Sequence, residues 1–145
     1  MRQISFFLTT NQFLHDEKDV TRRLGWDQDR APAGTQLMAV NKCRGLKKGE
    51  QIKYGPILIL SNTPEPLEDI VRRPVRNDQL IPGWLADTET KREGFPQWRT
   101  DPEKFVKFFI KANPRTPSGE KVTRKTPVNR IVFRRQTVIE VQNHG

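Results

Sequence analysis

A short basic segment, residues 18–26, holds the side chains of this chain that are best suited to chemistry. It places a lysine, a threonine hydroxyl and two guanidinium groups beside a Gly-Trp turn, in the order Lys18, Thr21, Arg22, Arg23, Gly25 and Trp26. Guanidinium groups form paired hydrogen bonds to phosphate or carboxylate, and an aromatic ring can stack on a base. The segment therefore predicts a pocket for an anionic or nucleotide ligand. The alternative is a solvated strand edge that ends in a turn.

Further short motifs follow this segment along the chain. They are GLKKGE at 45–50, EPLEDI at 65–70, EGFP at 93–96 and PVNRIVF at 127–133. In that order the segments resemble an ASCH domain, a member of the PUA-like superfamily, in the version found in small bacterial and bacteriophage proteins. The resemblance covers nearly the whole chain. It implies an α+β fold in which a PUA-like mixed β-barrel of five or six strands carries packed helices.

The resemblance implies several possible functions. Some ASCH proteins are amidohydrolases that act on cytidine acylated at its exocyclic amine, some resemble ribonucleases, and others look like RNA-binding modules. In the amidohydrolase branch, the motif Lys-x-x-Thr-x-Arg falls here on Lys18, Thr21 and Arg23, and Glu93 is the best match to the family's acid. The implied catalytic residues are Lys18, Thr21 and Glu93, and the expected ligand-binding residues are Arg22, Arg23 and Trp26.

The implied reaction is attack on an acyl carbon by a hydroxyl or water, with Lys18 accepting a proton and Glu93 acting as acid or orienting group. A lysine with its ordinary pKa of about 10.4 is a useful base only where burial or neighbouring cations lower that pKa. Arg22 and Arg23 favour such a shift and a close Glu93 opposes it, so the sequence leaves the charge of Lys18 open. In a regular strand, residues 18 and 21 point to opposite faces, which places Lys18 in a turn or bulge before the strand.

Net charge points to a polyanionic partner. The 145 residues carry a net charge of +9, and residues 111–135 hold eight basic side chains against one acidic side chain. Such a concentration favours nucleic acid. The residues expected to contact its backbone phosphates are Lys121, Arg124, Lys125 and Arg130.

The leading hypothesis is therefore a domain that binds RNA or a modified nucleotide through a basic pocket. The alternatives are an amidohydrolase on acylated cytidine, a metal-independent ribonuclease, and a bacteriophage protein that docks on a host protein. The two histidines lack metal-ligand spacing, so no metal and no cofactor are expected. No apolar stretch approaches 18 residues, and the N-terminal apolar run is too short for a signal peptide, so a cytoplasmic protein without membrane contact is expected.

Periodicity predicts the elements of a single domain over residues 1–145. Alternating or continuous apolar runs predict strands at 4–8, 20–24, 37–43, 57–60, 131–135 and 138–141. Cys43, the only cysteine, falls in the third of these and is expected to be a buried, inert thiol.

The clearest helix is predicted at 102–112, with a capping box of Thr100 and Glu103. Its core-facing stripe is expected to be Phe105, Phe108, Phe109 and Ala112. A turn of helix is expected within 66–71, and a polar excursion over 72–92 is expected to pack its apolar residues over the barrel. Residues 113–127, with three prolines, predict a mobile basic loop.

Overall fold

Five strands form one mixed sheet in the computed structural model, which describes residues 1–72 and 89–136. The strands are β1 Gln3–Ser5, β2 Val20–Arg23, β3 Gln36–Val40, β4 Lys53–Pro66 and β5 Pro127–Arg135. Their spatial order is β1-β3-β4-β5-β2, and β1 pairs in parallel with β3 while the other pairs are antiparallel. The predicted strands at 20–24, 57–60 and 131–135 are confirmed. The one at 138–141 lies outside the described residues.

The central strand β4 serves two neighbours along its 14 residues. Residues 53–58 of β4 pair with β3 and residues 57–66 pair with β5, and the register of the β5 pairing shifts between Ile59 and Ser61. A bulge of this kind bends a strand and increases its twist. The predicted α+β class is confirmed. β1 and β2 lie at opposite ends of the strand order, and no ladder joins them among the described residues, so closure into a barrel stays a prediction.

Four short α-helices in the described part of the chain connect and cover the sheet. They are α1 Thr10–Leu14, α2 Asp69–Arg72, α3 Glu89–Arg92 and α4 Glu103–Ala112, with single turns of 3-10 helix at Phe7–Thr9 and Pro96–Trp98. The first of these 3-10 turns ends the predicted strand 4–8 early and leaves Leu8 61% exposed. The rest of the predicted 72–92 excursion, residues 73–88, lies outside the described residues.

Helix α4 confirms the predicted helix but not its cap. Pro102 occupies the N-cap position, where no side-chain cap hydrogen bond forms. The Glu103 carboxylate instead accepts hydrogen bonds of 2.9 and 2.7 Å from the Arg124 guanidinium. A charge-assisted bidentate contact of this kind is stronger than a neutral capping bond, and it holds the carboxylate away from the helix start.

Two apolar clusters make up the core. The first lies on the sheet and includes Phe6 and Phe13, whose rings stack with centroids 4.5 Å apart. The second lies under α4 and includes Phe105 and Phe109, which are buried as predicted, with Phe108 half-buried against them. Ala112, the last residue of the predicted stripe, is exposed.

Two loop predictions need comment. Cys43 is exposed, because β3 ends at Val40 and the thiol lies in the following loop, so the expected buried thiol is wrong. The segment 113–127 contains a bridge between Arg115 and Lys121, and its Val122 is 1% exposed in the second cluster. The predicted loop is thus anchored to the domain in its middle.

None of the helices in residues 1–72 and 89–136 has the length and apolar content that crossing a lipid bilayer requires.

Helix α3 is attached to the start of β2 through a buried ion pair. Arg92 is fully buried, and its Nε and Nη2 each donate a hydrogen bond of 2.9 Å to the carboxylate of Asp19. The Asp19 backbone amide donates to the Arg92 carbonyl at 3.1 Å, and the Asp19 carbonyl accepts from Phe133 of β5 at 3.0 Å. This pair therefore fixes α3, and with it Glu93, against the sheet.

Replacing Arg92 with alanine is expected to lower the free energy of unfolding by about 3–5 kcal/mol, because it removes the bidentate partner of a buried carboxylate. Urea unfolding followed by circular dichroism measures the change. Arg99→Ala is the matched control: Arg99 is exposed, and its loss is expected to change stability by no more than about 0.5 kcal/mol. An Arg92→Ala protein as stable as the control would show that other contacts hold α3.

Candidate functional site

A pocket of about 450 Å³ opens between residues of the two apolar clusters. Its volume is in the range of small-molecule sites, about 300–1,000 Å³. Six residues predicted from the sequence line it, namely Lys18, Thr21, Arg22, Arg23, Trp26 and Glu93. The structure thus brings together the implied catalytic residues and the expected ligand-binding residues.

Local backbone geometry places Lys18 and Thr21 on the same cavity. Helix α1 ends at Leu14, and the chain turns through Asp16 with a positive φ of 57° before β2 begins at Val20. Lys18 therefore precedes the regular strand, as the alternation of side chains predicted.

Lys18 is a buried amine with one acidic neighbour in the pocket. The side chain is 5% exposed, and its Nζ donates to the backbone carbonyl of Glu93 and, at 3.3 Å, to Glu93 Oε1. Burial lowers the pKa of Lys18 to about 8; Glu93 opposes this shift, and the charges of Arg23 and Arg22 add to it. The amine is therefore able to lose its proton close to neutral pH.

Glu93 accepts hydrogen bonds on both carboxylate oxygens. Oε1 accepts from the backbone amide of Arg22 at 3.2 Å as well as from Lys18, and Oε2 accepts from Arg22 Nη1 at 2.9 Å. A carboxylate held by two cations and an amide is stabilised as an acceptor. Of the two roles expected for Glu93, the geometry favours the orienting group over the acid.

Arg22 holds the carboxylates beside the pocket in place. Its fully buried guanidinium contacts Glu93, Glu65 at 3.1 Å and Glu89 at 2.7 Å. Burial alone would lower the pKa of Arg22, but the charges of Glu93, Glu89 and Glu65 raise it. Arg22 lines the pocket and shares its charge among three carboxylates, so it positions Glu93, and its expected contact with the ligand stays a prediction.

Arg23 lines the pocket and has no carboxylate partner among the described residues. Its Nε donates to Thr21 Oγ1 at 2.9 Å, its Nη2 donates to the Ser5 carbonyl at 2.6 Å, and its guanidinium lies 5.4 Å from the centroid of the Phe6 ring. Burial lowers the pKa of Arg23, with Glu93 opposing that shift. This arrangement leaves positive charge beside the Thr21 hydroxyl, where an anion or a polarised oxygen would be stabilised.

Glu89 and Arg130 form a second pair behind the pocket. Arg130 is 4% exposed and donates to the Glu89 carboxylate at 2.6 and 3.1 Å. Burial would raise the pKa of Glu89, but hydrogen bonds and charges from Arg130 and Arg22 lower it. The prediction that Arg130 contacts a nucleic-acid backbone is therefore wrong, because its guanidinium is enclosed and paired.

The other three residues predicted to contact a nucleic-acid backbone lie at the surface. Arg124 is exposed, but it pairs with Glu103 at 2.7 Å and with Glu68 at 3.1 Å, which neutralises much of its charge. Lys121 and Lys125 are exposed. The pocket and these two lysines are thus separate candidates for ligand contact.

Sequence reasoning missed the supporting carboxylates, above all Glu89 and Glu65. One signal was present: Glu89, Arg92 and Glu93 have the i, i+3, i+4 spacing that puts three charged residues on one face of a helix. All three are buried in the structure. Within residues 1–72 and 89–136, no cluster of three histidine, cysteine or acidic side chains is arranged to hold a metal ion.

Gly94 permits the close approach of its backbone to Lys18. Its φ is 101°, and an added Cβ would lie 3.0 Å from Thr9 Cγ2 and 3.4 Å from Lys18 Cδ. Because the added methyl group collides with Thr9, we expect Gly94→Ala to move the neighbouring backbone, including the Glu93 carbonyl that accepts from Lys18 Nζ. Water should then reach the amine and raise its pKa from about 8 toward the ordinary value, as followed by NMR titration of the Lys18 side chain.

Gly34→Ala is the matched control for this substitution. Gly34 has a similar φ of 91°, but no atom lies within 4 Å of an added Cβ, so it carries the backbone strain without the collision. Equal Lys18 titration in the two variants would mean that Gly94 does not position the amine.

Among protein-family models, curated proteins and solved structures, none matches this chain. The resemblance to ASCH domains therefore rests on the chain's own residues.

Proposed function

We propose that the pocket binds a nucleoside acylated at its exocyclic amine and hydrolyses that amide. The observation that carries this proposal is Lys18, a buried amine with a pKa of about 8 that lines a cavity beside Thr21 and Arg23. Perturbed titratable groups in a cleft are characteristic of catalytic sites. The resemblance of the Lys-x-x-Thr-x-Arg motif to the amidohydrolase branch of ASCH domains supports the same reaction and cytidine as the base.

The proposal includes a PUA-like barrel. Arg23 of β2 donates to the carbonyl of Ser5 in β1 at 2.6 Å, so a side chain connects the two strands that end the sheet order. The bend introduced by the bulge in β4 is the kind of distortion that brings sheet edges toward each other.

Lys18 is the base in this reaction. In its neutral form it accepts a proton from water, and the water oxygen adds to the acyl carbon. The exocyclic nitrogen takes this proton from the lysine as the C–N bond breaks. The products are a carboxylic acid, which ionises, and cytidine with a free amine. Lys18 ends the cycle neutral, so one water is consumed and no cofactor is needed.

Thr21 and Arg23 act on the oxygen atoms of the reaction. Because Thr21 Oγ1 accepts from Arg23 Nε, the threonine hydrogen is left to donate to the ligand or the attacking water. Negative charge develops on the acyl oxygen as the tetrahedral intermediate forms, and a nearby unneutralised guanidinium stabilises it. Glu93 accepts from Lys18 Nζ and so keeps the amine directed at the acyl group.

A rising limb near pH 8 is the expected pH dependence. The neutral amine is the base, and its fraction grows as pH rises through the Lys18 pKa of about 8, so kcat/KM for acylated cytidine should rise about tenfold per pH unit below 8 and level above it. Lys18→Met should lower kcat by about 100-fold or more and abolish the limb. Steady-state kinetics from pH 5.5 to 10 measures both.

Lys104→Met is the control for this experiment, since Lys104 is exposed on α4 and does not line the pocket. Thermal unfolding of Lys18→Met checks its fold. A limb that persists in Lys18→Met would assign the titration to another group.

Nucleic-acid binding by the exposed basic residues is a second candidate function. Lys121 and Lys125 are exposed and close in sequence, which favours contact with phosphates. If both contact single-stranded RNA, the Lys121→Ala/Lys125→Ala protein should show a log-log salt slope shallower by about 1.4 units, because each contact contributes about 0.7. Deacylation of free nucleoside by this variant should equal that of the parent. An unchanged slope, or no affinity of the parent at low salt, would remove this candidate.

A further inference from the structure

The two walls of the pocket differ in chemistry. On the side of α4 the pocket is lined by Leu24, Phe95, Phe105, Phe108 and Phe109. The only polar side chain at this end, Asn113, donates its amide to the Phe109 carbonyl at 3.1 Å. This α4 wall therefore offers mainly apolar contact, and the remaining N–H and the Oδ1 atom of Asn113 are its hydrogen-bonding groups.

The opposite wall is polar. It contains Ser5, Thr9, Arg23 and Lys42, together with the apolar side chains of Phe6, Phe7, Leu8 and Trp26. A nucleoside has a π-face for stacking and several hydrogen-bonding groups that lose free energy if they are buried without partners. The nucleoside therefore fits this polar wall better than the α4 wall, which has fewer hydrogen-bonding groups.

Lys18 lies where the two walls meet. On the polar side its Nζ is 6.0 Å from the centroid of the Phe6 ring, which Arg23 also contacts. On the other side, Gly94 approaches Lys18 Cδ, and the next residue, Phe95, begins the aromatic wall. The ring of Phe95 lies 5.1 Å from that of Phe108. Lys18, Phe95 and Phe108 line the same pocket, so an amide carbon within reach of Lys18 shares a cavity with this aromatic surface.

We propose that this site selects amides with an aromatic acyl group, which packs on the α4 wall while the nucleoside occupies the polar wall. This inference rests on the proposed function and adds the class of acyl group to it. An aromatic acyl group removes a large apolar area from water and meets the rings of Phe95 and Phe108. An acetyl group is too small to cover this wall.

The test compares cytidine benzoylated and cytidine acetylated at the exocyclic amine. The value of kcat/KM for each compound is divided by the rate constant of its hydroxide-catalysed hydrolysis, which removes the difference in chemical reactivity. The corrected value for the benzoyl compound is expected to exceed that for the acetyl compound by tenfold or more. Equal corrected values would overturn the proposal.

Phe108 is the residue to change, because it lines the pocket and is only half-buried. Phe108→Ala should lower kcat/KM for the benzoyl compound tenfold or more and change that for the acetyl compound less than threefold. Phe108→Leu, which keeps most of the apolar volume, should give the same direction with a smaller effect and covers the case in which the alanine variant is unstable. A loss that is equal for both compounds in both variants would overturn the assignment of the acyl group to this wall.

Trp98→Ala is the matched control. Trp98 contacts the rings of Phe95 at 4.8 Å and Phe108 at 5.6 Å but does not line the pocket. Any effect of loosening the aromatic cluster alone would thus appear in Trp98→Ala. In this variant the ratio of kcat/KM for the benzoyl compound to that for the acetyl compound should stay within threefold of the parent's ratio.

Failure of the proposed function has a different signature. If neither compound is hydrolysed, the amidohydrolase proposal is wrong, and calorimetric titration of the parent with each compound then decides the preference of the pocket. Binding of the benzoyl compound at least tenfold more tightly, with the difference lost in Phe108→Ala, would retain the aromatic wall as a binding surface. Equal affinities would overturn it.

Discussion

The contact on which the site depends is the one between Glu93 and its two cations. Glu93 receives Lys18 from one side and Arg22 from the other, and both cations come from the beginning of β2 or the turn before it. Arg22 in turn reaches Glu89, which Arg130 of β5 also contacts. Opposite charges thus alternate from the pocket to β5, the strand that pairs with β2. Removing charges from water is unfavourable, and this arrangement recovers the loss only while each member keeps its partners.

This arrangement explains how Lys18 can be buried beside a carboxylate and still have a pKa close to neutral pH. If Glu93 interacted with Lys18 alone, its charge would hold the ammonium strongly. Arg22 shares the same carboxylate through Nη1 and its backbone amide, and Arg23 adds a second positive charge nearby. Burial then becomes the largest influence on the amine, and the pKa falls.

Much of the architecture and the location of the site could be predicted from the sequence. The apolar run at 57–60 and the Phe105 to Phe109 spacing are strong local signals, because one periodicity and one burial pattern suffice to define each element. Lys18, Thr21, Arg23 and Glu93 could be grouped because a motif relates them, and the structure brings them to one pocket. The roles of Arg22 and Arg130 could not be assigned from the sequence. An arginine in a strand is expected to be exposed unless the carboxylates that pair with it, which are distant in sequence, are known. The ends of two strands were also predicted wrongly. Leu8 and Cys43 continue the alternating apolar pattern of the sequence, but β1 and β3 end before these residues.

The alternating charges also constrain how this protein can change over evolutionary time. Because Glu93 pairs with two cations and Glu89 with three, a neutral or reversed residue at either position leaves unbalanced charge in the interior. A lineage can cross that barrier only by replacing members in matched sets, as when an ion pair gives way to a well-packed apolar pair. In relatives of this chain, residues 22, 89, 93 and 130 should therefore covary as one block. The aromatic residues of the α4 wall are coupled through ring contacts rather than through charge, so this wall can be repacked while the charged framework stays fixed.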